Sequence, residues 1–361
     1  MRPISASISR QALRANLDLV KRHAGGARVW AVVKANAYGH GLLRTVAALE
    51  TADGFALLEL DAAVQLRDSG ISRPLLLIEG FFDANELRVF STYGLTAVVH
   101  DEAQVRMLEM AGLTTGLNRP IDVYLKINTG MNRLGFGIDQ AARILERLRG
   151  CAGVGAITLM THFADADGPG GVAEQMQRLA RTGIEGLPRS LANSAALLRY
   201  PETRADWVRP GIMLYGCSPF PDETAEAIGL NPAMTLKSRL VAVQTLRPGD
   251  RVGYGGIFTA GAPMRIGIVA CGYADGYPRH APGSVDRGTP ILVAGRRTRT
   301  VGRVSMDMLF ADLSAIPEAS VGTEVTLWGE GLSADEVSAA SGTVSYELLC
   351  ALAARVPVIE V

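Results

Sequence analysis

The chain has 361 residues, of which 48% are hydrophobic and 20% charged, and its 36 basic side chains balance 36 acidic ones. That length exceeds what one ordinary core supports, so two domains, or a barrel with an appendage, are expected. The balanced charge offers neither a basic stripe for nucleic acid nor an acidic tail. The opening stretch MRPISASISRQALRANL lacks the apolar run of a signal peptide and no run approaches bilayer-spanning length, so the chain reads as cytoplasmic, with no membrane partner.

From Val29 onward, short apolar and often β-branched runs alternate with amphipathic helical stretches, the rhythm of βα units in a parallel sheet. Strands are predicted near 29–33, 54–60, 75–78, 95–100, 121–127, 155–161, 190–193 and 208–214. Eight such repeats favour a closed (β/α)8 barrel over an open sheet. In SRQALRANLDLVKRHAGG, Leu13, Leu17 and Val20 share one helical face, with Ser9 as N-cap and Gly25 as terminator. DEAQVRMLEMAG and DQAARILERLRG repeat the pattern.

After about Leu230 the rhythm changes. TLKSRLVAVQTLRPGDRVGYGGIFTA and RIGIVACGYADGYPR alternate in strand fashion between Gly-rich turns, with little helical periodicity before SYELLCALAARV. A barrel over residues 1–230 and a mainly β domain over 231–361 are therefore expected. The four cysteines, Cys151, Cys217, Cys271 and Cys350, form no C-x-x-C pair and read as reduced thiols. The five histidines show no metal-ligand spacing, and no G-x-x-x-x-G-K-[ST] loop is present.

Barrel enzymes work at the C-terminal ends of their strands, which singles out Lys34 at the end of VWAVVK. A lysine beside apolar residues there loses its proton easily and can attack a carbonyl, although a solvated loop-edge lysine has the same local sequence. NSAA, from Asn193 to Ala196, and RPGIMLYG, from Arg209 to Gly216, end the late strands. The Ser194 hydroxyl and the backbone N–H groups near Gly211 could bind a phosphate there, or form an ordinary turn. Taken singly, His162, Lys126 and Arg133 read equally well as core or loop residues.

In order, AVVKANAYGHG, LKINTGMNRLGFG, THFADAD, NSAA, VRPGIMLYG, GYADGYPR, GRVSMDM and SYELL resemble the motif series of alanine racemase, a pyridoxal-phosphate enzyme of fold type III. The resemblance spans nearly the whole chain and implies an N-terminal (β/α)8 barrel with a C-terminal mainly β domain, into which residues 1–8 pair as a strand. It implies pyridoxal 5'-phosphate held by Lys34, with its phosphate contacted by Tyr38, Ser194, the Gly211 and Ile212 backbone and Tyr346, and with Asn193 and His162 also beside the cofactor. Arg209 would face the pyridine nitrogen, where a permanent cation disfavours ring protonation and weakens the electron sink.

Inverting Cα needs proton transfer on both faces. By the same resemblance, Lys34 supplies one acid/base group and Tyr273, from the other subunit of a homodimer, the second. His162 and Arg209 would support the Tyr273 phenolate. Arg133 would hold the substrate carboxylate, and Met306 and Asp307 of the other subunit would shape the entrance. Lys126 matches a lysine often carbamylated in the family. Two positions depart from the commoner pattern: Asn128 stands where an aspartate is usual, and Ser190 where some members carry a histidine behind the arginine.

The implied function is interconversion of L- and D-alanine, either supplying D-alanine to peptidoglycan or degrading it. Three other readings compete: a racemase preferring serine or accepting many amino acids, a non-catalytic pyridoxal-phosphate carrier, and a related decarboxylase. The β domain with Tyr273 and Met306 counts against the carrier, and Arg209 against the decarboxylase.

Overall fold

Ser9 opens the first helix, Arg10–Ala24, by accepting a hydrogen bond from the Ala12 amide at 3.2 Å, and Gly25 ends it in the left-handed conformation. Leu13, Leu17 and Val20 lie on its buried face, as their spacing predicts. The computed structural model describes residues 2–113, 117–281 and 286–361.

The barrel strands are β2 (Arg28–Val32), β3 (Gly54–Leu57), β4 (Leu75–Leu77), β5 (Leu95–Val99), β6 (Ile121–Lys126), β7 (Val154–Met160), β8 (Arg189–Ser190) and β9 (Trp207–Val208). All run parallel, and β9 pairs back onto β2 to close the ring. Every residue of β3, β4 and β5 is buried, which is why these segments read as unbroken apolar runs. The strand expected over 208–214 stops at Val208. Pro210 offers no N–H to a ladder, Gly211 takes φ −121 and ψ −89, and Ile212–Tyr215 forms a 3-10 turn instead.

Inside the barrel the Trp30 ring stacks on Trp207 with centroids 4.2 Å apart, and its Nε1–H donates to the Tyr124 hydroxyl at 2.8 Å. Gly54 makes room for it: a Cβ there would lie 2.3 Å from Trp30 Cζ3.

The second domain is organised by β10 (Met234–Leu246), whose 13 residues serve several neighbours. Near a register shift at Leu240/Ala242 it passes from pairing with Glu324–Trp328 to pairing with Met264–Val269. The chain's first strand, β1 (Ser5–Ile8), lies in this sheet, antiparallel to β10 and parallel to Val358–Glu360. SYELLC forms the helix Ser345–Cys350. A second helix, Ala334–Ala340, has no counterpart among the predicted elements: ADEVSAA carries one long apolar side chain, Val337, and so no period. Ser333 caps it, its Oγ accepting from the Asp335 amide at 3.0 Å. Among the described residues no helix is long and apolar enough to cross a membrane.

Gly54→Ala should destabilise the fold by about 1–3 kcal/mol, the usual cost of overpacking a filled core. Urea unfolding of the purified protein checks this, with Gly183→Ala as the comparison. That glycine has no neighbour within 4 Å and pays only for its left-handed backbone.

Candidate active site

The backbone leaving β2 does not enter an ordinary helix. Ala35, Asn36, Ala37 and Tyr38 have φ between 50° and 55°, a left-handed turn that costs roughly 1–2 kcal/mol for each residue with a Cβ. The turn is braced locally. Asn36 Oδ1 accepts from the Leu42 amide at 2.8 Å, and the Ala37 amide donates to Val33 O at 2.9 Å. His40 is fully buried, with Nδ1 at 3.1 Å from Ala37 O and 2.9 Å from Tyr38 O. Both partners are carbonyls, so Nδ1 carries the proton. Burial lowers the ring's pKa to about 4, opposed by those two bonds, and the imidazole is neutral. The turn leaves both Lys34 and Tyr38 lining one cavity of about 570 Å³.

One corner of that cavity gathers hydroxyls and amides. Asn193 caps the helix Ser194–Arg199 by accepting from the Ala196 amide at 2.9 Å. Ser194 Oγ accepts from the Gly211 amide at 2.9 Å, joining the two late βα loops. Tyr38 stacks on Tyr215 at 4.6 Å and lies 6.2 Å from the ring of Tyr346. A Cβ on Gly211 would fall 2.6 Å from the Tyr38 hydroxyl, so only glycine keeps this corner open. Burial raises the Tyr38 phenol well above its usual range, and it remains a neutral donor.

The facing wall is cationic. Arg209 is 4% exposed, and its Nη1 donates to Ser190 Oγ at 2.7 Å while Nη2 donates to Thr161 O at 2.6 Å and Leu191 O at 3.1 Å. Ser190 passes the interaction on, donating to Trp207 O at 3.2 Å. Burial brings the Arg209 guanidinium down to about 10, still charged at neutral pH. Lys126, 5% exposed, is lowered to about 8 by burial, then by Arg209 and Arg133. His162 is pushed well below its usual value by burial and by Arg209, Lys126, Arg133 and Lys34. Asn128 Oδ1 accepts from the Gly130 and Asn132 amides at 3.1 and 3.0 Å and so shapes the loop that presents Arg133.

The cavity thus collects Lys34, Tyr38, Lys126, Arg133, His162, Asn193, Ser194, Arg209, Gly211, Ile212 and Tyr346. Tyr273, Met306 and Asp307 do not line it. They sit together on the second domain, where the Tyr273 and Ala274 amides donate to Ser305 O and Met306 O, each at 3.0 Å. Tyr273 is 39% exposed and Met306 53%. Sequence reasoning overlooks several supports. Gln175 Nε2 donates to Thr129 Oγ1 at 2.8 Å and to His162 O at 3.1 Å, and Thr129 meets Thr161 at 2.7 Å. These are isolated polar letters with no spacing signal. Asp167, Glu347 and Cys350 also line the cavity. Among the described residues no group of His, Cys, Asp or Glu could hold a metal ion.

Comparison with known proteins finds the alanine racemase N-terminal domain over residues 8–219 and the C-terminal domain over 233–360. The chain is 58% identical to the alanine racemase of Nitrosospira multiformis, covering 98% of each. It is 54% identical to the catabolic alanine racemase of Klebsiella aerogenes, covering 99% of each. Its fold superposes on the crystal structure of the biosynthetic alanine racemase of Pseudomonas aeruginosa with a TM-score of 0.95 and 46% identity, over the full length of both chains.

Since Arg133 helps to depress Lys126, Arg133→Ala should move the Lys126 midpoint upward from about 8, toward the ordinary lysine range. Titration followed by NMR of 13Cε-labelled lysine reads this directly. An unchanged midpoint would assign the shift to burial and Arg209 alone.

Proposed function

The chain belongs to the alanine racemase family, and from that premise we propose that it interconverts L- and D-alanine in the cytoplasm, using pyridoxal 5'-phosphate and active sites shared across a homodimer. One observation carries the reading. Lys34, the hydroxyls and amides around Ser194 and Gly211, and the cations Arg133 and Arg209 converge on a single cavity, while Tyr273 stands outside it.

The cavity fits the cofactor. Tyr38, Ser194, Tyr346 and the Ile212 backbone would offer donors to a phosphate in the corner that Gly211 keeps open, with the Gly211 amide fixing the Ser194 hydroxyl and Asn193 fixing the loop. When bound, pyridoxal phosphate supplies the electron sink that makes the Cα proton of an amino acid removable. Lys34, which lines the cavity, would hold the cofactor and move a proton at Nζ on one face. Arg209, charged and fixed by three acceptors, would help to hold the cofactor as a cation that does not give up its proton, which would keep the sink weak and favour return of the proton over side reactions.

Arg133 binds the substrate carboxylate. Lys126, with a midpoint near 8, exposes neutral amine to carbon dioxide at cellular pH, so its Nζ can bond to the carbon, release a proton and become an anionic carbamate beside Arg133. Tyr273 of the partner subunit moves the proton on the opposite face, with His162 and Arg209 supporting its phenolate. Met306 and Asp307 come with it to the entrance. Tyr273, Met306 and Met308 leave apolar surface exposed on the second domain, which pairing of two copies would cover. Supply of D-alanine to peptidoglycan and its breakdown both use this reversible reaction.

A chiral assay of the purified protein with pyridoxal phosphate and each L-amino acid tests the activity. Alanine should racemise fastest; a serine-first or flat profile would point to another racemase of the same mechanism, and no turnover to a carrier. Shared sites are tested with two inactive variants, Lys34→Ala and Tyr273→Phe, unfolded and refolded together in equal amounts. Half the dimers are then mixed, each with one restored site, and activity should recover to roughly a quarter of the unmutated value under statistical assembly. If one chain supplied both groups, the mixture would stay inactive.

A further inference from the structure

Asp275 closes the short 3-10 turn Tyr273–Asp275. Its side chain is 0% exposed, yet its carboxylate takes four hydrogen bonds. The Gly272 amide donates to Oδ2 at 2.9 Å, holding the turn from inside. Arg2 forks onto both oxygens, at 2.7 Å from Nη1 and 3.1 Å from Nη2, and Arg355 Nε adds a bond of 2.7 Å to Oδ1. The same two arginines reach the neighbouring loop: Arg2 Nη2 donates to Asp307 O at 2.7 Å and Arg355 Nη2 to Asp307 Oδ1 at 2.6 Å. Burial works against ionisation of Asp275, but the Arg355, Arg2 and Gly272 bonds outweigh it and hold the carboxyl below its usual range.

The turn is thus anchored on three sides. Beyond the arginines, its Tyr273 and Ala274 amides are zipped to the Ser305–Met306 backbone, and the Ala353 amide donates to Asp275 O at 3.2 Å. Arg2 and Arg355 come from opposite ends of the chain and meet only because β1 lies in the second domain's sheet. Neither arginine is in the main cavity, and a buried carboxylate shared by two surface arginines is a costly way to gain stability alone.

We propose that Asp275, clamped by Arg2 and Arg355, is the positioning residue for Tyr273, setting the phenol's reach and fixing the Met306–Asp307 loop relative to it. This rests on the reading of Tyr273 as an acid/base group. Misplacing a reacting group by a fraction of an ångström to an ångström costs rate rather than affinity. The clamp therefore acts on the proton transfer that Tyr273 performs and not on the one performed by Lys34.

The test uses the holoenzyme dimer with Arg355→Ala, Arg355→Lys and Tyr273→Phe; because Arg355 is partly exposed and Arg2 remains, the variants do not strand Asp275 without a cation. We expect Arg355→Ala to lower kcat by about 10-fold or more while KM stays within about twofold. With alanine deuterated at Cα, its isotope effect should rise in one direction of racemisation only, the same direction in which residual Tyr273→Phe activity shows a rise. Amide hydrogen exchange should quicken in the peptide around 272–276 and not around Lys34. Arg355→Lys should recover most of the rate.

A folded Arg355→Ala dimer with unmutated rate and exchange overturns the proposal, as does a loss that raises both isotope effects equally. If Tyr273→Phe keeps full activity, the reading of Tyr273 falls and the clamp has no acid/base group to position. Loss with Tyr273→Phe but not with Arg355→Ala overturns the clamp alone.

Discussion

Two carbonyl oxygens at the end of one short helix hold the geometry of both candidate acid/base groups. Leu349 O lies where a Cβ on Gly39 would be 2.3 Å away, and Ala351 O stands in the same relation to Gly276. Gly39 closes the left-handed turn that begins after Lys34, and Gly276 closes the turn of Tyr273. Both have positive φ, 79° and 103°, so a side chain at either position would be strained as well as clashing. The helix Ser345–Cys350 is therefore a spacer between the two turns, and Tyr346 on it faces the cavity. Since packed backbone deforms little, a displacement of the lysine turn is passed to the tyrosine turn. Were Tyr273 to serve the partner's site, this spacer would join one subunit's cofactor corner to the other subunit's proton transfer.

The second organising feature is charge. Lys34, Lys126, Arg133 and Arg209 share a cavity in which, among the described residues, Asp167 and Glu347 are the lining carboxylates, a field suited to ligands bearing a phosphate and a carboxylate. Asn128 sharpens it. Its amide oxygen makes the two backbone bonds that an aspartate would make, so the Arg133 loop keeps its shape while the corner loses a negative charge. Lys126 is depressed first by burial and then by the cations Arg209 and Arg133, and Asn128 brings no negative charge to oppose that shift. Ser190 works differently. Where a histidine would bring a titratable ring, its hydroxyl accepts from Arg209 and donates to Trp207 O without adding charge.

Much of the barrel is legible in the sequence because parallel strands buried on both faces must be apolar throughout, and Val29–Val33 or Leu75–Ile78 could hardly be anything else. The end of the eighth strand is less so, since apolar Ile212, Met213 and Leu214 read as strand although Pro210 and Gly211 have already broken the ladder. The cavity residues could be assembled from ordered motifs, but the contacts that hold them could not. Asp275 meets arginines 273 and 80 positions away, and no local pattern reports such a contact. The placement of β1 in the second domain's sheet has the same cause: its partners lie at Met234–Lys237 and Val358–Glu360.

The letters AYGHG illustrate how strain is hidden in an ordinary sequence. Asparagine tolerates the left-handed region better than most side chains after glycine, whereas alanine and tyrosine do not favour it, yet the turn runs through Ala35, Asn36, Ala37 and Tyr38. Gly39 and Gly41, both at positive φ, release the chain from it. His40 then adds a side-chain donor, Nδ1–H, for the Ala37 and Tyr38 carbonyls, the first of which also accepts from the His40 amide at 3.0 Å, and burial keeps the ring neutral. A relaxed right-handed turn would have been cheaper. The strained turn places Lys34 and Tyr38 on one cavity wall, so the strain falls where the site is built and is held there by the packing around His40 and Gly39.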